Sequence, residues 1–134
     1  MTVPGNNAWV FDTGPLRHFA AQGWLGVLGF LAGERPIYIP DSVERELNNA
    51  AEHASAVRGV LEADWIRVYR SCNPDYVAAF AHYRDRLVAN GKNLGECGVL
   101  AMGQVYKCEV VIDDATPDRT GEGDSGLIDR SAAV

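Results

Sequence analysis

The amino-acid sequence predicts an α/β domain built on a mostly parallel sheet of about four strands. Short β-rich segments at residues 8–12, 36–40, 65–69 and 109–113 alternate with longer segments of helical periodicity. The 134 residues are enough for one hydrophobic core but not for two, and the 47% hydrophobic and 22% charged residues are ordinary for a soluble protein. Strands that alternate with helices favour a parallel sheet covered by helices on both faces.

The first half of the chain has clear start and stop signals. The first strand ends in Asp12, and Pro15 suits the first turn of the helix that follows. The apolar stretch at residues 23–32 predicts a short buried helix, which Gly33 ends. Prolines bracket the second strand, which leads directly into the next helix.

The second half continues the alternation. Asp41, with Glu44 three residues later, predicts an N-cap and a capping box for the helix after the second strand. Further helices are predicted at residues 54–63, 73–89 and 94–107. Beyond Asp114 the periodicity fades, so the predicted domain covers residues 1–119 and residues 120–134 form a loop or disordered tail.

Composition narrows the class of function and the compartment. No basic segment followed by an apolar one opens the chain, and no apolar run approaches about 20 residues, which predicts a cytoplasmic protein. The formal charge of −6 argues against broad electrostatic binding to nucleic acid, although clustered carboxylates with bound cations reverse the sign locally. Cys72, Cys97 and Cys108 lack paired spacing and are interpreted as buried thiols.

Four carboxylates recur near the carboxyl ends of predicted strands or in the first helical turns after them: Asp12, Glu46, Glu96 and Asp113, with Asp114 beside the last. In a parallel sheet these positions converge on one edge, where ligands bind. Each residue also has an ordinary interpretation: a helix cap for Asp12, a solvated side chain for Glu46, a capping box with Asn93 for Glu96, and a turn for Asp113. Their joint placement favours a site.

Carboxylates gathered in one pocket repel one another, and a small hard cation offsets that repulsion. Mg²⁺ or Mn²⁺ suits a set of oxygen ligands without histidine or cysteine. Such a cation activates water and stabilises charge that develops on a phosphate. The sequence therefore predicts a metal site suited to chemistry on a phosphate. Nucleotide-binding glycine motifs are absent from the sequence, and Gly14 stands where a D-x-D-x-T phosphotransferase motif needs an acid.

Four segments resemble the PIN-domain family in matching order and spacing: V-F-D-T-G-P-L at residues 10–16, P-D-S-V-E-R-E-L at 40–47, N-L-G-E-C-G-V-L-A at 93–101 and V-I-D-D at 111–114. They are most similar to the branch grouped with VapC-like toxins of toxin–antitoxin pairs. The resemblance implies a three-layer α/β/α fold and a Mg²⁺- or Mn²⁺-dependent endoribonuclease. It also implies an antitoxin protein as partner and a homodimer.

By position, the resemblance implies catalytic and metal-binding roles for the four carboxylates, with Asp114 as a further metal ligand. Thr13 matches the hydroxyl neighbour of the first acid, and it is predicted to contact substrate together with Arg17 and Arg119. Arg84, Arg86 and Lys92 are further candidates for phosphate contact.

The sequence departs from the family pattern at three places. Gly14 replaces a serine, Gly98 stands where the branch often has a second acid, and the tail after Arg119 shows no last strand. These departures keep a second hypothesis open, in which the chain is a catalytically inactive, truncated module that acts through protein–protein binding.

Overall fold

The computed structural model describes residues 4–70, 73–87 and 94–112, and it has the predicted α/β architecture. Its elements are, in chain order, β1 (Trp9–Phe11), α1 (Thr13–Ala21), α2 (Leu25–Ala32), β2 (Ile37–Pro40), α3 (Asp41–Ala51), a 3₁₀ turn (Ser55–Val57), α4 (Arg58–Glu62), β3 (Ile66–Tyr69), α5 (Pro74–Leu87), α6 (Leu94–Tyr106) and β4 (Glu109–Val111). The strands form a four-stranded sheet in the order β3-β2-β1-β4, and every pairing is parallel. The predicted three-layer fold is confirmed.

The strand order determines where a ligand is expected. After β1 the chain moves outward to β2 and then to β3, and it later returns to place β4 on the other side of β1. The connections therefore change direction between β1 and β4, and the crevice at the carboxyl ends of two such strands is the usual ligand site of open α/β sheets. Phe11 pairs with Val111 at that end, so the residues that follow both strands start at the same edge.

The core lies along the two central strands. All four residues of β2 are buried, and Val10 and Phe11 on β1 and Val110 on β4 are almost completely buried. Cys97 and Cys108 are buried thiols, as predicted, whereas Cys72 lies outside the described residues. Burial raises the pKa of Cys108 from 9.0 to about 11, so its thiol stays neutral. None of the helices in the described ranges is long and apolar enough to cross a membrane.

The predicted N-cap at Asp41 is wrong. The strand β2 runs directly into α3, so Pro40 occupies the N-cap position and no side chain caps the helix. Asp41 is instead the first helical residue, and Glu44 lies with it in the first turn. The two negative charges still favour the helix there, because the amino end of a helix carries partial positive charge.

The prediction that residues 23–32 form a buried helix is correct for the helix but wrong for most of its burial. Within α2 only Leu28 and Ala32 are buried, while Phe30 is 84% exposed and Leu31 is 62% exposed. The helix is apolar on all sides, but it packs against the rest of the domain on one face only, so its other apolar side chains meet solvent. Gly33 ends α2 with a φ of 60°, as its position predicted.

Candidate functional site

The candidate site begins where β1 ends. The backbone N–H of Asp12 donates to the carbonyl oxygen of Val111 at 3.0 Å, which extends the β1–β4 ladder by one step. The Asp12 side chain is only 6% exposed, and its carboxylate caps α1 by accepting from the backbone N–H of Thr13 at 2.7 Å. Asp12 therefore both caps α1 and lies at the predicted edge of the sheet.

Glu46 connects this point to a distant helix. Its Oε1 accepts from the Thr13 hydroxyl at 2.5 Å, and its Oε2 accepts from the backbone N–H of Gly95 at 2.9 Å. Thr13 opens α1 and Gly95 lies in the first turn of α6, so one carboxylate joins the amino ends of two helices. The amino end of a helix carries partial positive charge, so both ends suit the carboxylate that joins them.

The close approach of Glu46 to α6 requires a glycine at position 95. A β-carbon there would contact Oε1 of Glu46 and would lie 2.8 Å from its Cδ. One turn later, a β-carbon on Gly98 would contact the Ser42 hydroxyl and would lie 2.9 Å from two ring carbons of Pro40. Close packing of α6 against Ser42 and Pro40 therefore requires glycine at position 98, where the family branch often has an acid.

Sequence reasoning did not single out Gly95. The available signal was the spacing of Gly95 and Gly98, because residues three apart lie on the same face of a helix and two small residues there permit close approach.

Glu96 lies partly exposed in the first turn of α6, directly after the glycine that binds Glu46. Its neighbour Cys97 is fully buried, and burial, followed by the negative charge of Glu96, raises the pKa of the Cys97 thiol. Glu46 acts on the same thiol in the same direction. Cys97 therefore remains a neutral thiol and is unsuited to be a nucleophile.

The structure brings together Asp12 and Glu46 through Thr13, and it places Glu96 next to Gly95. Within residues 4–70, 73–87 and 94–112, however, no three acidic, histidine or cysteine side chains form a group that could hold a metal ion. Asp113 and Asp114 follow the last described residue, Ile112, and lie outside the described residues. The four-carboxylate cluster therefore stays a prediction.

The predicted substrate contacts have different surroundings. Thr13 is buried, and its hydroxyl hydrogen is donated to Glu46. Arg17 is exposed one turn further along α1, and Arg119 lies outside the described residues. Contact of these three residues with substrate stays a prediction.

Comparison with known proteins identifies one family. The family model described as a PIN domain matches residues 8–123, which is most of the chain. No match is found among curated proteins or among solved structures. The matched range contains every candidate site residue.

Proposed function

Because the chain belongs to the PIN-domain family, whose members are generally nucleases, we propose that it is a divalent-metal-dependent endoribonuclease that hydrolyses RNA phosphodiester bonds. The observation that carries the proposal is the linkage of Thr13, Glu46 and Gly95. It holds a carboxylate beside the buried Asp12 at the carboxyl end of β1, where the connections of the sheet change direction.

The donor atoms suit Mg²⁺ or Mn²⁺. We assign Asp12, Glu46, Glu96 and Asp113 as ligands, with Asp114 as a further one, and all of them offer only carboxylate oxygens. Two hydrogen bonds to Glu46 use about two of the four lone-pair positions of its carboxylate, so oxygen lone pairs remain for a cation. When bound, the cation supplies a Lewis acid for the attack of water on the phosphate.

The residues of the chain provide position and charge. The N–H of Thr13 orients Asp12, while the Thr13 hydroxyl and the Gly95 N–H fix both oxygens of Glu46. Rigid placement of groups around a reacting phosphate is a main source of rate enhancement. Arg17 and Arg119 are proposed to contact phosphates of the RNA backbone.

The test is RNA cleavage by the wild type and by Asp12→Asn, in the presence of Mg²⁺ or Mn²⁺. We expect cleavage to fall by about 100-fold or more, the order found when a group that stabilises transition-state charge is removed. Asp64→Asn is the matched control, because Asp64 is exposed and precedes β3 at the opposite edge of the sheet. Equal cleavage by wild type and Asp12→Asn would remove Asp12 from the mechanism.

Metal binding is measured separately by thermal unfolding. A cation at about 100 times its dissociation constant stabilises a folded protein by about 2.7 kcal/mol, and we expect that shift with Mn²⁺ for wild type. Asp12→Asn should lose most of it, while Asp64→Asn should keep it.

A second candidate function is an inactive module that acts by binding another protein. The exposed apolar side chains of α2 favour it, with Val27 50% and Phe30 84% exposed. Protein binding by this surface is also compatible with nuclease activity if the partner is an antitoxin, and we propose that the protein is the toxin of such a pair and forms a homodimer. No cleavage of RNA by the wild type, together with no stabilisation by Mn²⁺, would favour the inactive module.

A further inference from the structure

A cleft of about 360 Å³ lies between α3 and α5 and reaches Leu94 at the start of α6. Its volume is within the range of about 300–1,000 Å³ that small-molecule sites occupy. The cleft is distinct from the Asp12 site but shares two elements with it. Ser42, which lines the cleft, is one turn before Glu46 on α3, and Leu94 directly precedes the glycine that binds Glu46.

Two residues that line this cleft carry buried hydroxyl groups without a hydrogen-bond partner among the described residues. Ser42 is 2% exposed and Tyr76 is 6% exposed, and their oxygens are the buried side-chain polar atoms that have no partner in the described part of the chain. Buried hydroxyls are normally paired, so an unpaired one beside a cleft indicates that a ligand or ordered water completes it. The Ser42 oxygen faces Gly98 of α6, which leaves the Tyr76 hydroxyl as the candidate. Burial, and next the negative charge of Asp41, raise the pKa of Tyr76, which therefore keeps its proton for donation.

The remaining lining has the chemistry of a nucleotide site. Arg45 on α3 and Arg84 on α5 line it from opposite helices and are both exposed to solvent. Phe80 and Val77 contribute an apolar wall, and Asp41 adds one carboxylate beside the two arginines. Arginine binds phosphate, aromatic and apolar surfaces stack on bases, and hydroxyls recognise base edges and the 2′-hydroxyl of RNA.

We propose that this cleft binds one nucleotide of the RNA substrate, next to the phosphodiester bond that is cleaved. The base lies against Phe80 and within reach of the Tyr76 hydroxyl, and the flanking phosphates contact Arg45 and Arg84. The inference rests on the proposed nuclease function. It adds a specificity subsite, which explains how a protein with a formal charge of −6 can engage RNA without a broad basic surface.

The first test is Tyr76→Phe, which removes the hydroxyl and keeps the ring. Because this hydroxyl has no partner among the described residues, we expect the midpoint of thermal unfolding to be unchanged or higher. We expect cleavage of a pool of short RNAs with randomised sequence to lose base preference by about five- to tenfold at one position near the cut. Lower thermal stability of Tyr76→Phe, or an unchanged preference, would overturn the proposal.

The second test is Arg84→Gln, with Arg58→Gln as the matched control, because Arg58 is exposed on α4 and does not line the cleft. For a defined RNA oligonucleotide, we expect Arg84→Gln to raise KM by about tenfold with little change in kcat, and Arg58→Gln to leave both unchanged. Equal KM values for the two variants would overturn the subsite.

The two levels of the proposal fail in different ways. If cleavage depends on Asp12 while Tyr76→Phe and Arg84→Gln match wild type, the nuclease function stands and the subsite falls. If Asp12→Asn cleaves like wild type, the nuclease function falls, and the subsite falls with it.

Sedimentation of wild type and Arg84→Gln completes the test. A changed oligomeric state with unchanged KM would make the cleft a protein contact and overturn its assignment to RNA.

Discussion

Gly95→Ala tests whether the position of Glu46 matters for function separately from stability. The added β-carbon would contact Oε1 of Glu46 and lie 2.8 Å from Cδ and 3.1 Å from Oε2. Because these atoms are the far end of a flexible side chain, Glu46 can turn away while α6 stays in place. It would then lose its hydrogen bond from Gly95, and its bond from Thr13 would weaken.

The magnitude follows from two opposing contributions. A hydrogen bond to a charged group contributes about 1.5–3 kcal/mol, and alanine stabilises a helix by about 1 kcal/mol relative to glycine. We therefore expect the free energy of unfolding to change by no more than about 2 kcal/mol. If Glu46 acts only in its present position, cleavage should fall by about 10- to 150-fold, since about 1.4 kcal/mol corresponds to a factor of ten.

The measurement combines urea unfolding, Mn²⁺-dependent thermal stabilisation and RNA cleavage. Gly26→Ala is the matched control, because Gly26 is also helical and a β-carbon there would have nothing within 4 Å. We expect this control to be slightly stabilised and fully active. If Gly95→Ala cleaves RNA and responds to Mn²⁺ as wild type does, the placement of Glu46 by α6 has no role in function and the reasoning is refuted.

Three further predictions concern stability. Gly98→Ala should lower the free energy of unfolding in urea by about 1–3 kcal/mol, since its β-carbon would lie 2.9 Å from the rigid ring of Pro40; wild-type stability would show that α6 can shift away. Phe30→Ser should change stability by about 0.5 kcal/mol or less, because Phe30 is 84% exposed; a loss above about 3 kcal/mol, typical of core phenylalanine, would show that the ring is covered in solution. Burial raises the pKa of Cys108 to about 11, so its contribution is fully present below pH 9.0 and is lost as the pH rises to about 11. Unfolding at pH 8, 9.5 and 10.5 should therefore show a steeper fall for wild type than for Cys108→Ala, and parallel curves would contradict this assignment.

The sequence was sufficient to predict the alternation of strands and helices, the parallel sheet and the location of Asp12 at the end of a strand. These features depend on local periodicity and on the rule that parallel strands end at the same edge. Asp12 illustrates the reason, because it follows a buried strand whose hydrophobic pattern is visible in four consecutive residues. The resemblance to the PIN-domain family, which the family model confirms over residues 8–123, indicated which acids are the candidate metal ligands.

Only the tertiary structure decided how these residues are held. Glu46 bonds to Thr13, 33 positions away, and to Gly95, 49 positions away. Such contacts depend on how closely three helices approach, which local periodicity does not encode. The same holds for the exposed face of α2 and for the cleft beside Tyr76, since both are set by which surfaces the neighbouring elements cover. Hydrophobic pattern determines that a segment is helical, while the shape of its neighbours determines which of its side chains meet solvent, a partner or a substrate.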